Sequence, residues 1–211
     1  NGVDKVFGVP GGQTLPLHEG ISKFQGAIEH VLMRDERSAG YAADAYARMT
    51  GKATESYAAT VSDEDIRNTI DRNLMGTIYC GQAAAVHMKP KNYGRIVNTS
   101  SQAGMRAQHN GNYGSYGVAK AGVISWTQYL AQELGRYNIT VNARSPAYVG
   151  TERLMQQSFN CIDDVRKQLK VPLGRLAEPD DIAKVMEFFV TDLGDYVTGQ
   201  TISVCGGAIN F

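Results

Sequence analysis

The sequence predicts an α/β fold: a three-layer sandwich around a mainly parallel, Rossmann-like sheet that is incomplete or rebuilt at its N-terminal part. Three observations carry this expectation. Short apolar runs of strand length alternate with longer stretches of helical period. Gly, Pro or polar turns bound the runs, and strand-helix alternation favours parallel pairing with helices on the sheet faces. At 211 residues, without a low-complexity linker or repeated unit, the chain is expected to form one domain, 1–211, with a substantial core.

The elements follow in order. Strand Lys5 to Val9 is expected first, then helix Leu15 to Phe24, strand Ile28 to Met33 and helix Ala39 to Met49. A long helix is predicted from Asp63 to Met88, with Ser62 and Asp65 as its N-terminal cap signal and Pro90 as its stop. Within it Ile66, Ile70, Leu74 and Thr77 form an inward stripe at helical spacing, bordered by Asn73. Strand Arg95 to Thr99, helix Tyr113 to Tyr137, strand Thr140 to Ala143, helix Pro179 to Thr191 and strand Thr201 to Val204 complete the alternation.

Composition excludes several classes. Twenty-one basic and twenty-one acidic residues cancel, so no basic footprint points to nucleic acid. No apolar stretch approaches a membrane span, and no signal-peptide pattern opens the chain. Cys80, Cys161 and Cys205 are widely spaced, as expected of reduced thiols in a cytoplasmic protein. The four histidines lack ligand spacing, so no metal site is expected.

Tyr116-Gly-Val-Ala-Lys120 carries the chemistry. It follows Gly94-Arg-Ile-Val-Asn-Thr-Ser-Ser101 by a Gly- and polar-rich loop and opens a helix. Residues four apart share a helix face, which sets the Lys120 ammonium beside the Tyr116 phenol. An unperturbed Tyr titrates near roughly 10, and a neighbouring cation moves it toward the range where it exchanges protons readily. Ser101, at the strand end, can then hold a carbonyl or alcohol oxygen while Tyr116 gives or takes its proton. Alone, the spacing is in most chains that of a surface Lys one turn beyond a packing Tyr. Asn73, taken without the other motifs, reads as a core amide with satisfied partners.

Further motifs occur in order: Asp65-Ile-Arg-Asn-Thr-Ile-Asp-Arg-Asn73-Leu-Met-Gly76-Thr, Ser-Ser-x-Ala-Gly at Ser100 to Gly104, Ile139-Thr-Val-Asn-Ala-Arg-Ser-Pro146, and Gly174-Arg-Leu-Ala-Glu-Pro179, closing on Thr198 to Gly207. Residues 62–211 thereby resemble the C-terminal two-thirds of short-chain dehydrogenase/reductases. The resemblance implies hydride transfer with NAD or NADP at a small carbonyl or secondary alcohol. It also implies roles: Tyr116 as general acid/base, Lys120 as the residue that lowers its pKa and bonds the nicotinamide ribose, Ser101 as substrate-oxygen donor, and Asn73 as anchor of a water relay. The loop Pro146, Ala147, Val149 and Thr151 matches the segment that wraps the nicotinamide, with Ala147 where the family has Gly. Glu152 to Val171 matches the substrate lid. The two long helices match those through which the family forms dimers or tetramers.

The N-terminal part departs from that family. The Thr-Gly-x-x-x-Gly-x-Gly turn that holds a pyrophosphate and the Asn-Asn-Ala-Gly strand are absent. Instead Val6-Phe-Gly-Val-Pro-Gly-Gly12 and Ile28 to Gly51 resemble the start of the pyrimidine-binding domain of thiamine-diphosphate enzymes of the acetolactate synthase type, with Glu36 matching the glutamate that bonds the aminopyrimidine. The chain reads as a chimera with its switch between Gly51 and Ser62. Two other readings stand beside the oxidoreductase: a non-catalytic oligomeric interaction protein, and a thiamine-diphosphate-enzyme fragment.

Overall fold

The computed structural model describes residues 57–107, 111–151 and 171–209, together with the backbone of strands 5–8 and 29–32. The expectation of a single domain over 1–211 meets two compact units, residues 1–52 and 53–211. In the first, β1 (Lys5–Gly8) and β2 (Glu29–Leu32) pair in parallel, in register from Lys5 with Glu29 to Gly8 with Leu32. Both strands lie within the expected ranges. The helices expected at Leu15 to Phe24 and Ala39 to Met49, and Glu36, lie outside the described residues.

The second unit is built on a parallel sheet of order β3-β4-β5, formed by Gly94–Thr99, Ile139–Pro146 and Thr201–Val204. Helix α1 (Asp63–Ile70) continues through a π-helical turn, Asp71–Met75, into α2 (Gly76–Met88). Next come the one-turn α3 (Gln102–Met105), the 21-residue α4 (Gly114–Leu134) and α5 (Pro179–Val190). Strand β4 runs three residues beyond the expected Ala143, because Ser145 and Pro146 pair with Ser203 and Val204.

Alternation of side chains along the strands separates two faces. Ile96, Ile139 and Val141 pack with Leu130, Ala131 and Leu134 of α4 and Ala85 of α2. On the same face the Asn98 amide donates to Thr127 Oγ1 at 2.9 Å. Arg95 and Asn142 point the other way, toward the segment after α5: Arg95 bonds Asp195, and Asn142 donates to Val197 O at 2.7 Å while accepting from Gln200 N at 3.0 Å. Those contacts put α5 on the second face and give the three layers expected from the sequence.

Ser62 caps α1 by accepting from Asp65 N at 3.1 Å, as its position in the sequence implies. Ser62→Ala is expected to cost about 1 kcal/mol in urea unfolding. The inward stripe differs from expectation. Ile66 is 37% exposed, whereas Thr69 and Asn73 are buried at 4% and 7%. Thr69 and Asn73, four residues apart, share the helix face that packs inward.

At the start of α5, Asp181 accepts from Arg175 at 2.6 and 2.9 Å and from Glu178 N at 2.8 Å. The Arg175 bonds first, and the backbone bond next, hold its carboxyl well below the usual range. A depressed folded-state pKa contributes stability above the unfolded value of about 3.9, lost as pH falls below it. Asp181→Asn is therefore expected to flatten the acid limb of a melting-temperature profile below about pH 4, relative to the wild-type chain.

Candidate active site

Strand β3 ends at Thr99, and Ser100 and Ser101 leave it toward α4. Ser101, in extended conformation (φ −157°, ψ 157°), caps α3 by accepting from Ala103 N at 3.3 Å. Ser100 is 2% exposed and donates to Lys120 O at 2.8 Å. Lys120 reaches back, its Nζ donating to Thr99 O at 3.1 Å, and is itself 4% exposed. The strand end and the second turn of α4 are thus tied in both directions.

Helix α3 crosses the start of α4 at two glycines. A Cβ on Gly104 would sit 2.5 Å from the Lys120 carbonyl carbon, and one on Gly117 would sit 2.9 Å from Ala103 O. Only backbone fits there. This approach brings Ser101 alongside the helix turn carrying Tyr116 and Lys120. The Lys120 ammonium lies 5.5 Å from the centre of the Tyr116 ring, within cation–π range. A buried cation beside a phenol favours the phenolate and so lowers the cost of proton release.

Asn73 sits in the π turn and is buried, its amide donating to Thr69 O at 3.1 Å. The π turn packs on α4: a Cβ on Gly122 would meet Leu74 Cδ2 at 2.8 Å. Asn73 is thereby held one residue from a contact made two residues beyond Lys120. Irregular helix turns of this type cluster at functional sites.

Pro146 ends β4, and Ala147, Val149 and Thr151 lie in the loop that leaves it. Ala147 N donates to Val204 O at 3.2 Å, Val149 bridges to Ala177, and Gly150 N and Thr151 N donate to Ala177 O and Val149 O, both at 2.8 Å. Positive φ among described non-glycine residues is confined to Asn92, Tyr113 and Asn138, so Ala147 carries no left-handed strain in place of Gly. Of the lid expected at Glu152 to Val171, Leu154, Met155, Phe159 and Leu169 lie outside the described residues. Among the described residues no cluster of His, Cys, Asp and Glu is arranged to hold a metal ion, and no helix is long and apolar enough to cross a membrane.

Three features went unread in the sequence. Tyr113 precedes α4 at φ 64°, a conformation costly for a bulky residue and recurrent at active sites. Ser100, the residue before Ser101, is tied to Lys120. Arg144 is the one charged residue of β4, which is the signal that marks it.

The family model described as enoyl-(acyl carrier protein) reductase matches residues 38–208. That of the thiamine pyrophosphate enzyme N-terminal TPP binding domain matches residues 1–60. The chain is 45% identical over 157 residues to cyclohexanol dehydrogenase of Rhodococcus sp. (strain TK6), covering 74% of this chain and 58% of that protein. It is 37% identical over 149 residues to a 3-oxoacyl-[acyl-carrier-protein] reductase of Synechocystis, covering 70% and 58% respectively. It therefore spans less than two thirds of these relatives' length. In fold it resembles a putative gluconate dehydrogenase from Agrobacterium tumefaciens (TM-score 0.71, 24% identity, 98% of this chain and 86% of that one). A putative gluconate 5-dehydrogenase from Beutenbergia cavernae, crystallised with NADP, superposes with TM-score 0.70 at 24% identity, covering 96% and 84%.

Proposed function

Because the chain belongs to the short-chain dehydrogenase/reductase family, we propose that it is an NAD(P)-dependent oxidoreductase acting on a small carbonyl or secondary alcohol. The observation that carries this reading is the tie between Lys120, Thr99 and Ser100, with the Lys120 ammonium against the Tyr116 ring. Bound NAD or NADP would supply or accept the hydride. Tyr116 gives its phenolic proton to the carbonyl oxygen as that oxygen gains charge, or takes the hydroxyl proton in the reverse direction. Ser101 donates a hydrogen bond to the same oxygen. Lys120 lowers the cost of the phenolate, and Asn73 fixes the helix turn through which a water chain reaches Lys120.

Tyr116, Lys120, Pro146, Ala147, Val149 and Thr151 are the residues proposed to hold the nicotinamide end. A negative φ at Ala147 and backbone-pinned loop geometry are compatible with that use. The glycine-rich pyrophosphate turn is absent from the sequence, so weak cofactor retention is part of the proposal. The decisive assay is NAD(P)H-linked turnover of simple ketones and secondary alcohols. No rate with any of them, together with unchanged NADH fluorescence on mixing, would favour the non-catalytic interaction protein.

A homo-oligomer is also proposed, in a cytoplasmic setting. Tyr79 and Val86 on α2, and Val118 and Tyr129 on α4, are 61–74% exposed and form apolar surface suited to a second copy. Sedimentation equilibrium tests it. The thiamine-diphosphate reading predicts stabilisation by thiamine diphosphate and magnesium, which at a hundredfold Kd would reach about 2.7 kcal/mol. No shift is expected, because the sequence contains no Gly-Asp-Gly diphosphate motif.

A further inference from the structure

Two polar side chains on the sheet are left without partners at the same level of adjacent strands. Thr99 and Arg144 are paired in register across β3 and β4. On a parallel ladder both therefore leave the same face, about 4.8 Å apart. Thr99 is 7% exposed and its Oγ1 is buried without a hydrogen-bond partner, as is Arg144 Nε. Arg144 takes part in none of the ion pairs Lys89–Glu133, Arg95–Asp195, Arg175–Asp181 and Lys184–Asp180. Burial lowers the guanidinium to about 10, which keeps it cationic at neutral pH.

The backbone around this pair is fixed. Ser100 N donates to Arg144 O at 2.9 Å, and Lys120 Nζ bonds Thr99 O. Thr99 ends β3 and Arg144 stands two residues before the end of β4, near the C-terminal edge where open α/β sheets take their ligands. The Nε edge of a guanidinium offers two parallel N–H groups to two oxygens of one oxyanion, and the threonine hydroxyl offers a third donor. An unpaired, partly desolvated cation beside an unpaired hydroxyl is costly unless an anion completes it.

We propose that Arg144 and Thr99 form an oxyanion-binding site that takes the carboxylate or phosphate group of a small ligand. It stands independently of the roles assigned to Tyr116 and Lys120.

The test uses the full chain without cofactor. Thermal stability is measured in sodium chloride and in sodium phosphate at matched ionic strength. The wild-type chain is expected to show a saturable rise with phosphate, absent in Arg144→Met and in Thr99→Val. Arg144→Met in chloride is expected to melt no lower than wild type, since it removes a partly desolvated cation that has no ion-pair partner. Arg144→Lys keeps the charge without the fork and is expected to bind phosphate at least tenfold more weakly. Two further probes identify the source of the anion. Reduced nicotinamide mononucleotide losing affinity in Arg144→Met, with the reduced riboside unaffected, assigns a cofactor phosphate. Malonate stabilising wild type but not Arg144→Met assigns a substrate carboxylate. No phosphate effect in wild type, or an equal effect in wild type and Arg144→Met, overturns the proposal.

Discussion

Tyr116→Phe is expected to lower NAD(P)H-linked turnover by about 10²- to 10⁴-fold, the usual reach of a general acid/base, with little change in folding. The ring is half-buried on α4, and Phe preserves both its packing and its face toward the Lys120 ammonium. Only the transferable proton and one hydrogen-bonding group are lost. Unfolding in urea should therefore move by no more than about 0.5 kcal/mol. Lys120→Ala should lose more than rate, because it also leaves Thr99 O without its donor and opens space at a buried position. Its residual activity should require higher pH, since removal of the cation moves the phenol back toward its ordinary range. Ser101→Ala should be milder than Tyr116→Phe. Equal rates in wild type and Tyr116→Phe would remove Tyr116 as the proton donor.

Gly104→Ala is expected to destabilise by about 1–3 kcal/mol, the usual cost of overpacking, and to lower kcat by about 10²-fold, the scale of an ångström-sized displacement at a reacting site. Its Cβ would lie 2.5 Å from the Lys120 carbonyl carbon and 2.7 Å from Ala121 N, both backbone atoms of α4. Helix α3 must then back away from α4, carrying Ser101 with it. Gly135→Ala is the control. Gly135 ends α4 at φ −55°, ψ −37°, and nothing lies within 4 Å of its added Cβ. That substitution should stabilise by about 0.4–1 kcal/mol through the unfolded chain and leave turnover unchanged. Urea titration and steady-state kinetics on both variants separate the two effects, and an unaltered kcat in Gly104→Ala would show that this crossing does not position the site.

The sequence by itself placed β3, β4 and β5, the long helix of α1 and α2, and helices α4 and α5 among the described residues, because short apolar runs, the Ser62 cap and the Pro90 stop act within a few residues of where they stand. It also determined the pairing of Tyr116 with Lys120, since a four-residue helical spacing is a local fact. Which residues of the long helix are buried was decided only by tertiary structure: what packs on the helix buries Thr69 and Asn73 and leaves Ile66 37% exposed. The same holds for the close crossing at Gly104, for the left-handed Tyr113, and for Ser100 reaching Lys120 across twenty residues. Arg144 was visible as a residue, but its lack of a partner depends on what lies across two strands and under α5. Periodicity reports a residue's own turn or strand, whereas a close approach or an unpaired charge depends on residues distant in sequence, which only the folded chain brings together.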